Sequence, residues 1–194
     1  MAFFRTINFT EPLLSVAGAG VTLRPPQMTD FSDWATLREA SRDFLMPWEP
    51  TWPADDLSRS AFRRRLRRYT EDLRTDQGYA FIIMRNADNA LVGGLTLANI
   101  RRGVAQAGSL GYWTGLPFVR HGYMTEAVRA IIPFAFDTLR LHRLEAACIP
   151  TNLGSTRLLE KTGFVREGYA RDYLCINGIW QDHLLYGRLQ NSRP

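Results

Sequence analysis

The sequence predicts an α/β fold: a single domain with a mixed central sheet of about seven strands and flanking helices. Three observations predict it. The apolar spacing is helical up to about residue 78 and alternates from 79 onward. Two strand-then-helix crossovers follow each other, over 105–140 and 143–164. The chain closes on two alternating runs around Asn177-Gly178, a hairpin signal.

The elements are justified in order. Residues 1–20 read as an irregular segment, and "VTLR" at 21–24 as a strand stopped by Pro25-Pro26. Thr29 or Asp30 can cap a helix over about 31–41, with Phe31, Trp34, Leu37 and Arg38 on one stripe. Residues 43–53, "DFLMPWEPTWP", form a proline-rich aromatic loop. A helix is expected over 55–78, its buried stripe being Leu57, Phe62, Leu66, Tyr69 and Leu73. Strands at 79–85 and 90–102 are joined by the turn "NADN", and a third strand covers 105–115. A long helix follows at 122–140, with Pro133 placed to kink it. A buried strand at 143–150 leads to a helix over 152–164, capped by Asn152 and ended by Gly163. Two strands, 165–178 and 179–189, complete the domain at 21–189, and 190–194 are a tail. No repeat, low-complexity run or linker divides the chain.

Composition narrows the function classes. The 194 residues are 45% hydrophobic and 22% charged, as in ordinary globular proteins. No apolar run reaches the roughly 20 residues that span a bilayer, so no membrane partner is expected. Arg5, Asn8 and Glu11 interrupt the N-terminus where a signal peptide needs an apolar core, which predicts a cytoplasmic protein. Cys148, Cys175 and the three histidines have no metal-ligand spacing, so no metal is expected. The net charge is +5 and nearly all cations are arginine, Lys161 being the one lysine. We read that bias as base composition more than phosphate recognition. "RRRLRR" at 63–68 reads as a solvated helix face rather than a specific nucleic-acid site. No signal fixes an oligomeric state.

The chemistry centres on "LGYWTGLPFVRHGYMTEAV", 110–128. A glycine before a helix start lets main-chain N–H donors approach an anion. Arg120, His121, Gly122, Tyr123, Met124 and Thr125 could thus cradle a phosphate, or simply connect a strand to a helix. In "NLGSTRLLEKTGF", Asn152 and Ser155 share the first turn of the next helix. If both crossovers open at one sheet end, their helix starts flank one crevice.

These two stretches, with "RDFLMPWEP" at 42–50, "NIRRG" at 99–103 and "EGYARDYLCINGIWQDH" at 167–183, resemble the GNAT N-acetyltransferases. The similarity is greatest to the RimJ branch, the ribosomal-protein-alanine N-acetyltransferases, and covers about Val21 to Leu189. It implies a GNAT-like sheet, acetyl-CoA as donor, and a protein N-terminal α-amine as acceptor, on a ribosomal protein. It also implies that strands splay near Tyr112, Trp113 and Gly115, where a strand N–H can hold the thioester carbonyl and pantetheine can lie. In the family's six-residue pyrophosphate pattern only Gly122 matches; Val119 and Met124 depart from it. By the same resemblance Asn152 contacts the CoA arm, and Ser155 stands where RimL-type enzymes look to use a serine as proton donor.

No glutamate carries over as base. Among the carboxylates Glu49 is first choice, because Trp48, Pro50 and Trp52 could raise its pKa or it could attract the acceptor ammonium. Glu145 is second, and Asp172 and Asp182 third. Tyr173 is an alternative proton donor, and Trp48 and Trp52 are candidates to line an acceptor groove. Two other readings stay open here: an acetyltransferase for a small amine or antibiotic, and a non-catalytic ribosome- or RNA-associated module.

Overall fold

A computed structural model describes residues 14–190. The expected segment 1–13 and tail 191–194 lie outside the described residues. In chain order the elements are β1 (Val16–Ala17), β2 (Val21–Arg24), α1 (Phe31–Ala40), α2 (Arg42–Leu45), α3 (Arg59–Arg74), β3 (Tyr79–Arg85), β4 (Leu91–Arg101) and β5 (Ala107–Thr114). Then come α4 (Tyr123–Pro133), β6 (Arg143–Cys148), α5 (Leu153–Lys161), β7 (Val165–Ile176) and β8 (Ile179–Leu189).

The strands form one mixed sheet in the order β1-β2-β3-β4-β5-β6-β8-β7. It has eight strands rather than seven. The extra one, β1, pairs Val16 with Leu23 and Ala17 with Thr22 inside the segment read as irregular. Two residues are too short to show a period, and pairing with β2 is what defines them.

Three helical readings change, the first being that the expected 43–53 loop opens on a short helix, α2, and a helical turn at Met46–Trp48. The 55–78 helix begins at Arg59, because the Ser58 side chain accepts from the Ala61 N–H and sets the cap there. It ends at Arg74, where Asp76 at φ 55° turns the chain. At Pro133, expected to kink the 122–140 helix, the helix changes pitch. Lacking an N–H, the proline widens the next turn over Phe134–Thr138, where the Leu139 N–H bonds Phe134 O five residues back. Gly163 at φ 81° ends α5, and Asn177 and Gly178, both at positive φ, make the β7–β8 turn.

The two faces of the sheet bury different clusters. α4 packs Met124, Ala127, Val128, Ile131 and Ile132 into the larger core, together with Leu159 of α5. On the other face Trp34 and Leu37 of α1 and Phe62 of α3 pack against Ile82 and Leu91. Because β5 and β6 run parallel, the helices that follow them both start at the same end of the sheet. That condition for a shared crevice is met.

Candidate active site

β5 and β6 pair over only three positions, Ala107↔Arg143 to Ser109↔Glu145. β5 then continues to Thr114 along β4, and β6 to Cys148 along β8. The two parallel strands therefore part beyond Ser109 and Glu145. The Gly115 N–H bonds Val92 O on β4, and the register from Ser109 to Thr114 is unbroken. By the two-residue period, the main-chain groups of Tyr112 and Thr114 face the opened side, the Leu110 N–H being the last that the pairing with β6 uses. This row of unpaired donors and acceptors can accept an extended amide-bearing chain as a strand would be accepted.

The crossover from β5 to α4 supplies an anion cradle. Arg120 (φ 65°) and Gly122 (φ 88°) both take left-handed conformations, so the backbone turns sharply before the helix. No side chain caps α4; its Glu126 N–H is the first to bond back, to Gly122 O at 3.1 Å. The N–H groups of Tyr123, Met124 and Thr125 are thus the open donors of a helix start. A Cβ built on Gly122 would meet no atom within 4 Å, so the cradle is open above it. The Met124 side chain is buried in the core below, and its bulk stays out of the cradle. His121 stacks on Tyr123 at 5.8 Å and is exposed. Arg85 reaches the Tyr123 hydroxyl at 3.3 Å from the neighbouring strand. In the first turn, Glu126 is occupied by the Gly20 N–H at 2.7 Å.

α5 brings a second helix start to the gap. The Asn152 side chain accepts from the Ser155 N–H at 3.0 Å, which fixes the first turn. The Ser155 side chain lies near enough to the Tyr112 phenol to act on it. Burial pushes the Tyr112 phenol well above the usual tyrosine range, and its contact with Ser155 offsets part of the rise. Around them lie Cys148, whose Sγ is 3.8 Å from Thr156 Oγ1, and the buried Tyr186. Tyr112, Asn152 and Ser155 are therefore brought together, while Trp113, the next residue on β5, points to the other face.

On that other face Arg38 is the residue the sequence reading did not single out. It is buried and lies 4.1 Å from the Trp52 ring and 4.9 Å from the Trp113 ring. Its guanidinium grips Glu49 bidentately, at 2.8 and 2.7 Å, and Trp52 Nε1 donates to the same carboxylate at 2.8 Å. Glu49, expected among apolar rings, is thus also ion-paired with Arg38 and hydrogen-bonded to Trp52. The available signal was an arginine inside an apolar helical stripe, where a charge needs a partner. The Glu49 carbonyl also accepts from the Asn177 N–H at 2.9 Å, tying the loop to the β7–β8 turn. α1 is fixed to the crossover by Leu37, packed on Gly115, and by Ser41, whose Oγ accepts from the Leu116 N–H.

Two of the other carboxylates, Glu145 and Asp182, are also engaged. Glu145 pairs with Arg101 and Arg143. Asp182 accepts from the Asp172 N–H and the Tyr169 hydroxyl, which holds a bulge in β7. Tyr173 packs edge-on against the buried His183, and Trp48 is half-buried at the loop. Among the described residues no group of three or more His, Cys, Asp or Glu could hold a metal, and no helix is long and apolar enough to cross a membrane.

Comparison with known proteins agrees with this geometry. Residues 21–165 match the family model described as acetyltransferase (GNAT) domain. The chain is 39% identical to "Probable N-acetyltransferase YjcK" of Bacillus subtilis over 166 residues, covering 86% of this chain and 92% of that one. It is 35% identical to the [ribosomal protein uS5]-alanine N-acetyltransferase of Escherichia coli over 145 residues, 75% of each chain. The structure of Mycobacterium smegmatis RimJ in complex with CoA-disulfide superimposes with a TM-score of 0.86 at 30% identity, covering 94% of this chain and 88% of that one.

Proposed function

The chain belongs to the GNAT acetyltransferase family, and from that premise we propose that its acceptor is the α-amine of a protein N-terminus, an alanine of a ribosomal protein. The acetyl-CoA-dependent N-acetyltransferase activity itself follows from the family. The observation that carries the acceptor is the 35% identity, over three quarters of both chains, to an enzyme named for that substrate. We further assign the site as cytoplasmic, as befits work on ribosomal proteins.

The residues present fit the donor. The N–H groups of Tyr123, Met124 and Thr125 would hold its pyrophosphate at the helix start, with Arg120 and His121 beside it. The open main-chain groups of Tyr112 and Thr114 suit the pantetheine amides and the thioester carbonyl. Trp113 then borders the acceptor side, and Asn152 shapes the turn that presents Ser155.

The transfer forms an amide C–N bond and breaks the thioester C–S bond. A proton leaves the amine nitrogen and one reaches the departing sulfur. Ser155 is assigned as the donor to sulfur, with Tyr112 beside its hydroxyl. Of the carboxylates weighed as bases, Glu49, Glu145 and Asp182 are already paired or hydrogen-bonded, and Asp172 gives only its backbone N–H to Asp182. An α-amine, with a pKa of about 7.7–8.0, is partly neutral near pH 7 and needs little help. A lysine amine near 10.4 would cost about 3.5 kcal/mol more to deprotonate. The arrangement favours the α-amine, with water accepting its proton.

The test is a panel of peptides beginning with Ala, Ser, Thr or Met, each with an internal lysine, beside a panel of small amines. Product mass and fragmentation locate the acetyl group. One acetyl on the alanine α-nitrogen supports the proposal; transfer only to lysines or small amines overturns it.

A further inference from the structure

One buried titratable group takes no part in the transfer described so far: His183 of β8, which is 3% exposed. The other two histidines, His121 and His142, are exposed. Strand register fixes the side on which His183 stands. Ser109 pairs with Glu145, Glu145 pairs with Gly187, and neither pairing slips. Paired residues share a face of a sheet, and every second residue returns to it. Trp113, four on from Ser109, and His183, four before Gly187, therefore share a face. Trp113 packs on the cluster of α1 and α3 and lies beneath Arg38, so this is the face covered by the loop that carries Glu49.

Its height along the sheet is fixed as well. Tyr112 and Cys148 lie equally far beyond the Ala107↔Arg143 pair, and Leu184 pairs with Cys148. His183 comes next, level with the part of β5 that has left β6. On β7, Ala170 pairs with His183, and past the register shift that follows Tyr173 packs edge-on against the imidazole, 5.7 Å between ring centroids. The hairpin then continues to Asn177, whose N–H bonds the Glu49 carbonyl at 2.9 Å. The gap, the loop and the β7–β8 hairpin thus bound one space on the acceptor side, with His183 on its wall.

The tautomer of the ring follows from its partner. Nδ1 lies 2.9 Å from the Gln181 carbonyl oxygen, which can only accept, so Nδ1 carries a hydrogen and Nε2 of the neutral ring keeps its lone pair. Nε2 has no hydrogen-bond partner among the described residues. The sealed side-chain polar atoms that lack one belong to Arg38, Asp56, Tyr186 and Arg188, so Nε2 stays reachable. Tyr173 is the titratable group that faces the ring from β7. On β8, Asp182 turns to the other face, where the Tyr169 hydroxyl and the Asp172 N–H hold it. Glu49, over the same face as His183, and Glu145, on it, are spent on arginines. A neutral imidazole oriented through one nitrogen and open at the other is a positioned base.

We propose that Nε2 of His183 takes up the proton that the acceptor amine sheds. The neutral nitrogen forms the C–N bond to the thioester carbon and becomes cationic, and one of its protons passes through the water that receives it to Nε2. The C–S bond breaks, and the sulfur takes its proton from Ser155. The imidazolium then gives its proton to solvent and Ser155 regains one, which closes the cycle. This deepens the acetyl-transfer reading and rests on it.

The experiment measures kcat/KM for the acceptor from about pH 5 to 9 at saturating acetyl-CoA, in the parent, His183→Asn and His183→Gln. The acceptor is whichever peptide or small amine the parent acetylates fastest, so an error in the acceptor assignment shows in that choice and leaves this test standing. Asparagine can still donate to the Gln181 carbonyl but offers no base. Towards acid both the amine and the imidazole must be free of their extra proton, so log kcat/KM of the parent should rise with a slope approaching two, and that of the variants with a slope of one. At neutral pH kcat should fall about tenfold or more in both variants, with KM for acetyl-CoA within about twofold of the parent. A merely structural histidine would lower the rate and leave the slope as it was. Thermal unfolding checks that each variant is folded. The parent's own slope tests the proposal without any variant: a slope of one overturns it. Equal slopes in the parent and a folded variant also overturn it, since the second proton then belongs to another group.

Discussion

Gly122→Ala isolates what the helix start contributes. A Cβ at this position meets no protein atom within 4 Å, so no packing clash arises. The strain is that of the backbone alone, since Gly122 sits at φ 88°, where L side chains cost about 1–2 kcal/mol. For a chain of this size about 1 kcal/mol lowers Tm by roughly 2–4 °C, so a drop of about 2–8 °C is expected. The added methyl also projects into the open space over the N–H groups of Tyr123 to Thr125. The variant should therefore bind CoA more weakly, by about tenfold or more, which corresponds to about 1.4 kcal/mol. Gly111→Ala is the control: its Cβ is equally unobstructed, but its φ lies in the range that any residue adopts. Thermal unfolding and titration calorimetry with CoA measure both effects. If Gly122→Ala loses stability but binds CoA like the parent, the anion is not held at this helix start and the reasoning fails.

Further outcomes follow from other contacts. Ser155→Ala should lower kcat at least tenfold with little change in KM for acetyl-CoA, and Tyr112→Phe should lower kcat less, because it leaves the serine hydroxyl in place; a larger effect from Tyr112→Phe in stopped assays would reassign the proton donor. Removing one partner of the buried Arg38–Glu49 pair should destabilise by about 3–5 kcal/mol, so Arg38→Leu should unfold well below the parent in urea; an unchanged midpoint would show the loop to be held otherwise. A Cβ at Gly93 would stand 2.3 Å from the Trp113 carbonyl oxygen, so Gly93→Ala should distort β4 against β5 and lower both stability and activity. Burial raises the phenols of Tyr79 and Tyr112 above the tyrosine range in the folded state. Their contribution to stability is complete below about pH 10 and is lost as pH climbs from there towards the folded-state values. Urea midpoints at pH 8, 10 and 11 should fall in that order, less steeply for Tyr79→Phe; a midpoint flat across that range contradicts the assignment.

The sequence was most informative where a local rule decides. The alternating runs of β3 and β4, the Asn152 cap, the Gly163 stop and the Asn177-Gly178 turn each follow from their own residues. The positions of Gly122 and Met124 were legible as a motif, but not that the methionine turns into the core, because that depends on what α4 packs against. The ion pair of Glu49 was not legible for the same kind of reason. Its neighbours in sequence are apolar rings, while its partner, Arg38, comes from the preceding helix. The Tyr112–Ser155 contact joins residues 43 positions apart and exists because β5 and β6 part after three pairs. Such a register end has no signature in either strand alone.

The central claim is that the donor lies in the gap between β5 and β6 with its phosphates on the start of α4. Amide hydrogen exchange with and without CoA measures this directly. The account predicts new protection at Tyr112 and Thr114 and at Tyr123 to Thr125, with Trp113 unchanged because its N–H is already turned to β4. Protection confined to other surfaces, with these amides exchanging as in the free protein, would contradict it.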